Sequence, residues 1–134
     1  MHYCLDTNTC IDAMKGRAPE LAERFGRHSP DDVGVPAMVR AELLLGAMKT
    51  NDPAKTTRTV EAFLAPYVVL SFDKAAAQHY AVIRHHLEAA GKIIGPNDLI
   101  IAATARAHRL TLVTHNVAEF ARVPELMVED WIGG

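Results

Sequence analysis

Asp6, Glu42 and Asp98 stand out in this chain because each carboxylate sits where an apolar neighbour would be ordinary. Asp6 closes the apolar run His2–Leu5 and is followed by Thr7-Asn8, with a helix expected from about Thr9. It has two readings, a ligand-binding carboxylate at the end of a strand or a simple cap for the next helix. Glu42 lies in Ala37–Met48, where its neighbours three and four residues away are Met38, Val39, Leu45 and Gly46. That pattern predicts a helix apolar nearly all round and substantially buried, in which a lone carboxylate is costly unless it is bound to a cation, paired in a salt bridge or set on a narrow wet stripe. Asp98 falls in Gly95-Pro96-Asn97-Asp98, ahead of the apolar stretch Leu99–Ala105. The helix dipole favours a negative charge there, and Gly95 leaves backbone room beside it. Asn116, in Thr114-His115-Asn116, follows the apolar run Leu110–Val113, and Glu119 comes close behind.

If these positions share one rim of a sheet, their charges must be managed. Unit charges about 4 Å apart repel by about 4 kcal/mol at an effective dielectric of about 20. Carboxylates converge comfortably only around a cation or by keeping protons. Hard oxygen ligands with no cysteine and no required histidine suit Mg2+ or Mn2+ rather than Zn2+. Such a site orients a phosphodiester, activates water and neutralises the leaving oxygen.

The elements that would position these residues follow from the hydrophobic pattern. His2–Leu5, Val33–Val35, Tyr67–Leu70, Leu110–Val113 and Leu126–Val128 read as strands, short and mostly β-branched or aromatic. Continuous apolar runs suit a sheet covered on both faces. Asp73 can cap a helix with apolar positions Ala76, Tyr80, Ile83 and Leu87, ended by Gly91. Pro96 can open another that runs towards His108. Glu20–Arg27 and Ala54–Leu64 are further helices, the second with Pro53 in its first turn. The alternation implies an α/β/α sandwich with a mostly parallel central sheet of four to five strands, formed by residues 1–134 as one domain.

Composition narrows the classes. Apolar residues make up 49% and charged residues 22%, an ordinary globular balance. The formal net charge of −2 gives no global attraction for nucleic acid, so an RNA substrate would require a local basic patch or bound cations. Cys4 and Cys10 have no partners for a zinc set and read as small buried apolar residues. Neither a leader-like start nor a bilayer-length apolar stretch is visible, which predicts a cytoplasmic protein without a membrane partner. His85 and His86 are adjacent and point apart, and His79 shares a face with His86 but finds no third ligand. His115, beside Asn116 at the proposed rim, is a candidate phosphate contact or an ordinary loop histidine. Trp131 is expected to pack on the sheet edge.

Taken together the motifs resemble those of PIN-domain ribonucleases of the VapC toxin type. Leu5-Asp6-Thr7-Asn8 resembles their first motif, and Glu42-Leu43-Leu44-Leu45-Gly46-Ala47 their "E-L-x-x-G" helix. Gly95–Ala102 is similar to their third acidic motif, and Thr114–Phe120 to the closing "T-x-N-x-x-E-F" pattern. The resemblance spans nearly the whole chain in the expected order. It implies that Asp6, Glu42 and Asp98 bind Mg2+, with Mn2+ as substitute, and that Asn116 takes the fourth catalytic position, where many relatives carry Asp. One formal negative charge is thereby removed, which bears on a second metal. Thr7, Thr114 and Glu119 then become supporting groups around the carboxylates. The same resemblance implies an endoribonuclease toxin acting on RNA such as tRNA, a VapB-type antitoxin whose basic tail covers the acidic site, and a homodimer.

Two other readings remain at this level. A phosphatase or dehalogenase would use Asp6 as nucleophile, but the acid–base Asp usual two residues later is Asn8 here. A non-catalytic binding module would keep the fold without the chemistry, against the intact Asp6, Glu42 and Asp98 set. Lys15 and Arg17, just after the first motif, are the candidate grips on RNA backbone. Replacing either with alanine is expected to weaken RNA binding and flatten its dependence on salt, measured by titrating binding against salt concentration.

Overall fold

Five strands form one sheet in the order β3-β2-β1-β4-β5. They are β1 (Tyr3–Leu5), β2 (Val33–Pro36), β3 (Val68–Leu70), β4 (Thr111–Val113) and β5 (Val128–Glu129). Every pairing is parallel, so the expected sheet is wholly rather than mostly parallel. A computed structural model describes residues 1–133. The helices are α1 (Thr7–Lys15), α2 (Pro19–Gly26), α3 (Ala37–Met48), α4 (Pro53–Leu64), α5 (Lys74–Ala90), α6 (Pro96–Ala107) and α7 (Val117–Phe120). None is long and apolar enough to cross a membrane.

The strand order matters for function. From β1 the chain winds outwards through β2 to β3, then returns to place β4 on the other side of β1. The reversal opens a crevice beyond the carboxyl ends of β1 and β4, where ligands of parallel sheets collect. The backbone N–H of Asp6 donates to Val113 O at 3.2 Å, which carries the β1–β4 ladder right up to that rim.

The central strands are short but dry. Cys4, Leu5, Val33, Val35, Leu112 and Val113 are buried, as continuous apolar runs between two helical layers require. Both cysteines are fully buried and free, and burial pushes both thiols up from their ordinary value. Trp131 is buried against Tyr3, Phe25 and His28, with its Nε1 donating to Glu129 at 3.0 Å. Helix α6 is the most deeply set, burying Leu99 and Ile101 through Ala105 and packing against α5. Its burial holds its first turn, and Asp98 with it, at the rim.

Local signals place the helix ends. Asp73 Oδ1 accepts from Ala76 N at 3.0 Å, and Asp52 Oδ1 from Lys55 N at 3.2 Å. Gly91 ends α5 in the left-handed conformation that glycine takes without penalty, φ 66°. Pro19, Pro53 and Pro96 each open a helix, where their missing N–H is no loss.

Some expectations need correction. The first helix begins at Thr7 rather than near Thr9, because Asp6 itself caps it. The last strand is Val128–Glu129, shifted from Leu126–Val128, since the ladder with β4 starts only at Leu112↔Val128. Helix α3 is not buried all round. Its Val39–Leu43–Ala47 face packs inwards, whereas Leu45 is 53% and Met48 70% exposed. Glu42 is accordingly half-buried at the edge of that face. An unbroken apolar run hides which side of a helix meets the core.

Gly34 lies where β2 passes Leu70, and a Cβ there would stand 2.8 Å from Leu70 Cγ and Cδ1. Gly34→Ala is expected to destabilise the fold by about 1–3 kcal/mol through overpacking, read from the urea unfolding midpoint.

Candidate active site

Four elements deliver the acidic residues to the crevice. Asp6 comes from the end of β1, Glu42 from the middle of α3, Asp98 from the first turn of α6, and Glu119 from α7 beyond β4. Asp6 fulfils the capping reading and stands at the strand end that the other reading requires. Its Oδ1 caps α1 by accepting from Thr9 N at 2.8 Å, yet the residue is only 4% exposed and senses the other acids. Burial pushes its carboxyl up from the ordinary value, against hydrogen bonds from Thr114 and Thr9 that favour the charge.

Glu42 is held at both oxygens. Thr7 Oγ1 donates to Oε1 at 2.7 Å, and Asn97 Nδ2 reaches Oε2 at 3.4 Å. Asn97 did not emerge from the sequence; its only signal is its place beside Asp98 at the mouth of α6. Glu119 is more central than a trailing support. Its Oε2 accepts from Asn116 Nδ2 at 2.7 Å, its Oε1 accepts from Gly95 N at 3.3 Å, and it faces Asp98 directly. Asn116 therefore enters the site through Glu119, while its own N–H donates to the buried Thr114 Oγ1 at 3.0 Å. A Cβ at Gly95 would meet Asp98 Oδ2 at 3.5 Å, an ordinary contact. Gly95 thus contributes its N–H to Glu119 rather than indispensable space.

Electrostatics record the crowding. Burial, then the hydrogen bond and charge of Glu119, then the charges of Glu42 and Asp6, lift the Asp98 carboxyl to about 7. Burial also works against Glu119, but hydrogen bonds from Asp98, Asn116 and Gly95, with Arg122 nearby, bring it below its ordinary value. Asp98 keeps the proton and Glu119 the charge. Among the described residues no ion pair reaches Asp6, Glu42, Asp98 or Glu119. A cation is what the donor set lacks, and hard carboxylate oxygens fit a divalent one. As the side chains stand, no three His, Cys, Asp or Glu of the described residues form a ready cage.

The outlying candidates flank this centre. Lys15, at the end of α1, lines a groove of about 260 Å³ that Glu42 also borders. Arg17 lies beside a second pocket with Asn8, His115 and Asn116, its Nη1 3.4 Å from Asp12 Oδ1. His79 accepts from Arg106 Nε at 2.9 Å, and His85 and His86 are exposed.

An acid-lined crevice short of cations, at the switch point of a parallel sheet, is a setting for metal-assisted hydrolysis of phosphodiesters. Residues 3–126 match the PIN domain family. The chain is 36% identical over 131 residues to the tRNA(fMet)-specific endonuclease VapC of Salmonella typhimurium, covering 98% of each chain. It is 37% identical over 132 residues to ribonuclease VapC2 of Haemophilus influenzae, covering 98% of this chain and 99% of the other. Among solved structures, DNA-bound VapBC from Salmonella typhimurium superposes with a TM-score of 0.93 at 36% identity, covering 98% of each chain. VapBC2 from Rickettsia felis, bound to a promoter DNA fragment, gives 0.91 at 32% identity, covering 98% of this chain and 99% of that one. The protein belongs to the PIN-domain family and, within it, to the VapC-type ribonucleases of toxin–antitoxin systems.

The raised Asp98 carboxyl has a consequence for stability without metal. The folded state retains a proton that the unfolded chain releases above its ordinary value of 3.8, so stability falls as pH rises from there to about 7. Glu119 acts with the opposite sign, its contribution being lost as pH drops below its ordinary value of 4.5. In EDTA, Asp98→Asn is expected to flatten the decline between about pH 4 and 7, followed by urea unfolding across that range.

Proposed function

We propose that the protein is the toxin of a type II VapBC-type pair, an endoribonuclease that hydrolyses RNA phosphodiesters with Mg2+, Mn2+ serving as substitute. The convergence of Asp6, Glu42, Asp98 and Glu119 on one cation-poor crevice carries this reading. Mg2+ suits it because that ion takes carboxylate oxygens and keeps several of its waters. Asp6, Glu42 and Asp98 hold the ion. When bound, it supplies charge neutralisation at the phosphate and makes water a nucleophile near neutral pH.

The chain's own residues arrange that chemistry. The Thr7 hydroxyl and the Asn97 amide fix Glu42 on both oxygens, so its carboxylate faces the crevice without choosing among rotamers. Thr114 ties the Asp6 carboxylate to the Asn116 backbone and thereby joins the ends of β1 and β4. Asn116 holds Glu119 against Asp98. An uncharged amide at this fourth position leaves the cluster less negative, which favours one ion over two.

The relatives extend the reading to substrate and partner. One is a tRNA(fMet)-specific endonuclease, which supports tRNA as substrate, and the solved relatives pair VapC with VapB, which supports a VapB-type antitoxin here. The groove bordered by Ile11, Met14, Leu43, Ala47 and Val60 offers an apolar seat beside the acidic site for such a partner's tail. The toxin works in the cytoplasm as a homodimer.

Purified protein incubated with bulk tRNA is expected to cut it in Mg2+ or Mn2+ and not in EDTA. Asp6→Asn and Asp98→Asn should each slow cleavage by about 100-fold or more. Hydrolysis of small phosphate esters with intact RNA would overturn the reading.

A further inference from the structure

The second pocket, about 330 Å³ and open, lies beside the acid cluster and is bordered by Asn8, Ile11, Asp12, Arg17, His115 and Asn116. Its size is at the lower end of small-molecule sites and suits about one nucleotide. Two of its members connect it to the chemistry. Asn8 sits two residues after Asp6 in the first turn of α1, and Asn116 holds Glu119.

His115 is the unusual member. Its Nδ1 is 3.0 Å from Asp130 Oδ2, and the other oxygen, Oδ1, accepts from Ile132 N at 2.8 Å. A carboxylate accepting on both oxygens puts the imidazole hydrogen on Nδ1. In the neutral ring, Nε2 is then a lone-pair acceptor, and among the described residues nothing is bonded to it. Along the RNA backbone that acceptor has a narrow choice. Phosphate and ring oxygens of the backbone only accept, and the one backbone donor is the 2′-hydroxyl.

We propose that this pocket receives the ribonucleotide next to the cleaved phosphate, and that His115 Nε2 accepts a hydrogen bond from its 2′-hydroxyl. Asp130 is the positioning residue that fixes the ring, and Arg17, across the same pocket, meets an adjoining phosphate. The inference rests on the RNA-cutting activity proposed above and adds how the site distinguishes RNA from DNA. No bond is made or broken at His115; the hydroxyl is read, not activated.

The test maps the cut made in bulk tRNA, then uses a synthetic RNA of that segment with single 2′-deoxy nucleotides on either side of the cut. One such replacement should lower wild-type kcat/KM by about fivefold, the worth of one neutral hydrogen bond. His115→Ala should lose a similar factor on all-ribose RNA and become indifferent to that replacement. His115→Gln, whose amide oxygen can accept, should keep the sensitivity, and Asp130→Asn should reduce it. His115 is exposed, so folding is not at stake, and matching thermal melts establish that. The subsite is overturned if wild type ignores every flanking 2′-deoxy replacement, or if His115→Ala remains as sensitive as wild type. It is equally overturned if one replacement abolishes cutting and the products carry 2′,3′-cyclic phosphate, because the hydroxyl would then be the nucleophile. Failure of wild type to cut any RNA removes the ribonuclease reading itself, and this inference with it.

Discussion

Mutual repulsion among carboxylates, one buried and three half-buried, is the constraint around which the rest of this protein is arranged. Asp6, Glu42, Asp98 and Glu119 meet with no basic side chain paired to them among the described residues. The metal-free site answers by keeping a proton between Asp98 and Glu119. A divalent ion answers the same repulsion without a proton. One geometry thus accounts for the tension among the acids and for the relief that the divalent ion of a PIN-domain nuclease would bring.

The scaffold bears that repulsion by anchoring each acid through a different part of the core. Asp6 is tied by its cap to α1 and by its backbone to β4. Asp98 is held by the deepest helix, whose apolar residues fill the space against the sheet and α5. Glu42 sits on a helix whose inner face is Val39, Leu43 and Ala47. Letting the acids drift apart would require unpacking these contacts, each buried aliphatic side chain contributing about 1.5–3 kcal/mol. The repulsion is therefore retained rather than relaxed.

Around the cluster, hydroxyls and amides do the orienting. Thr7, Asn97, Thr114 and Asn116 all place their polar groups on the acids or on the backbone beside them. Neutral groups restrain a carboxylate without cancelling the charge that a metal needs. The positive side chains, Lys15 and Arg17, stand one step further out, each lining a pocket beside the acids.

Much of this was legible in the chain. The parallel sheet followed from five short apolar runs, and the caps Asp73 and Pro96 with the stop at Gly91 followed from local backbone chemistry. The caps and the stop are short-range matters, settled by neighbours within a few residues. The acids were also visible, because a charge beside an apolar run is conspicuous wherever the chain goes. Three features lay beyond the one-dimensional pattern. The exposed side of α3 was hidden because an all-apolar helix carries no mark of which face meets the core. Asn97 and Glu119 gained their importance only when residues 55 and 24 positions away, respectively, came into hydrogen-bonding range. The His115–Asp130 pair, 15 residues apart, depends on β4 and β5 lying side by side. Contacts of that kind are made by the packing of whole elements, and packing leaves no periodic trace in the residues it joins.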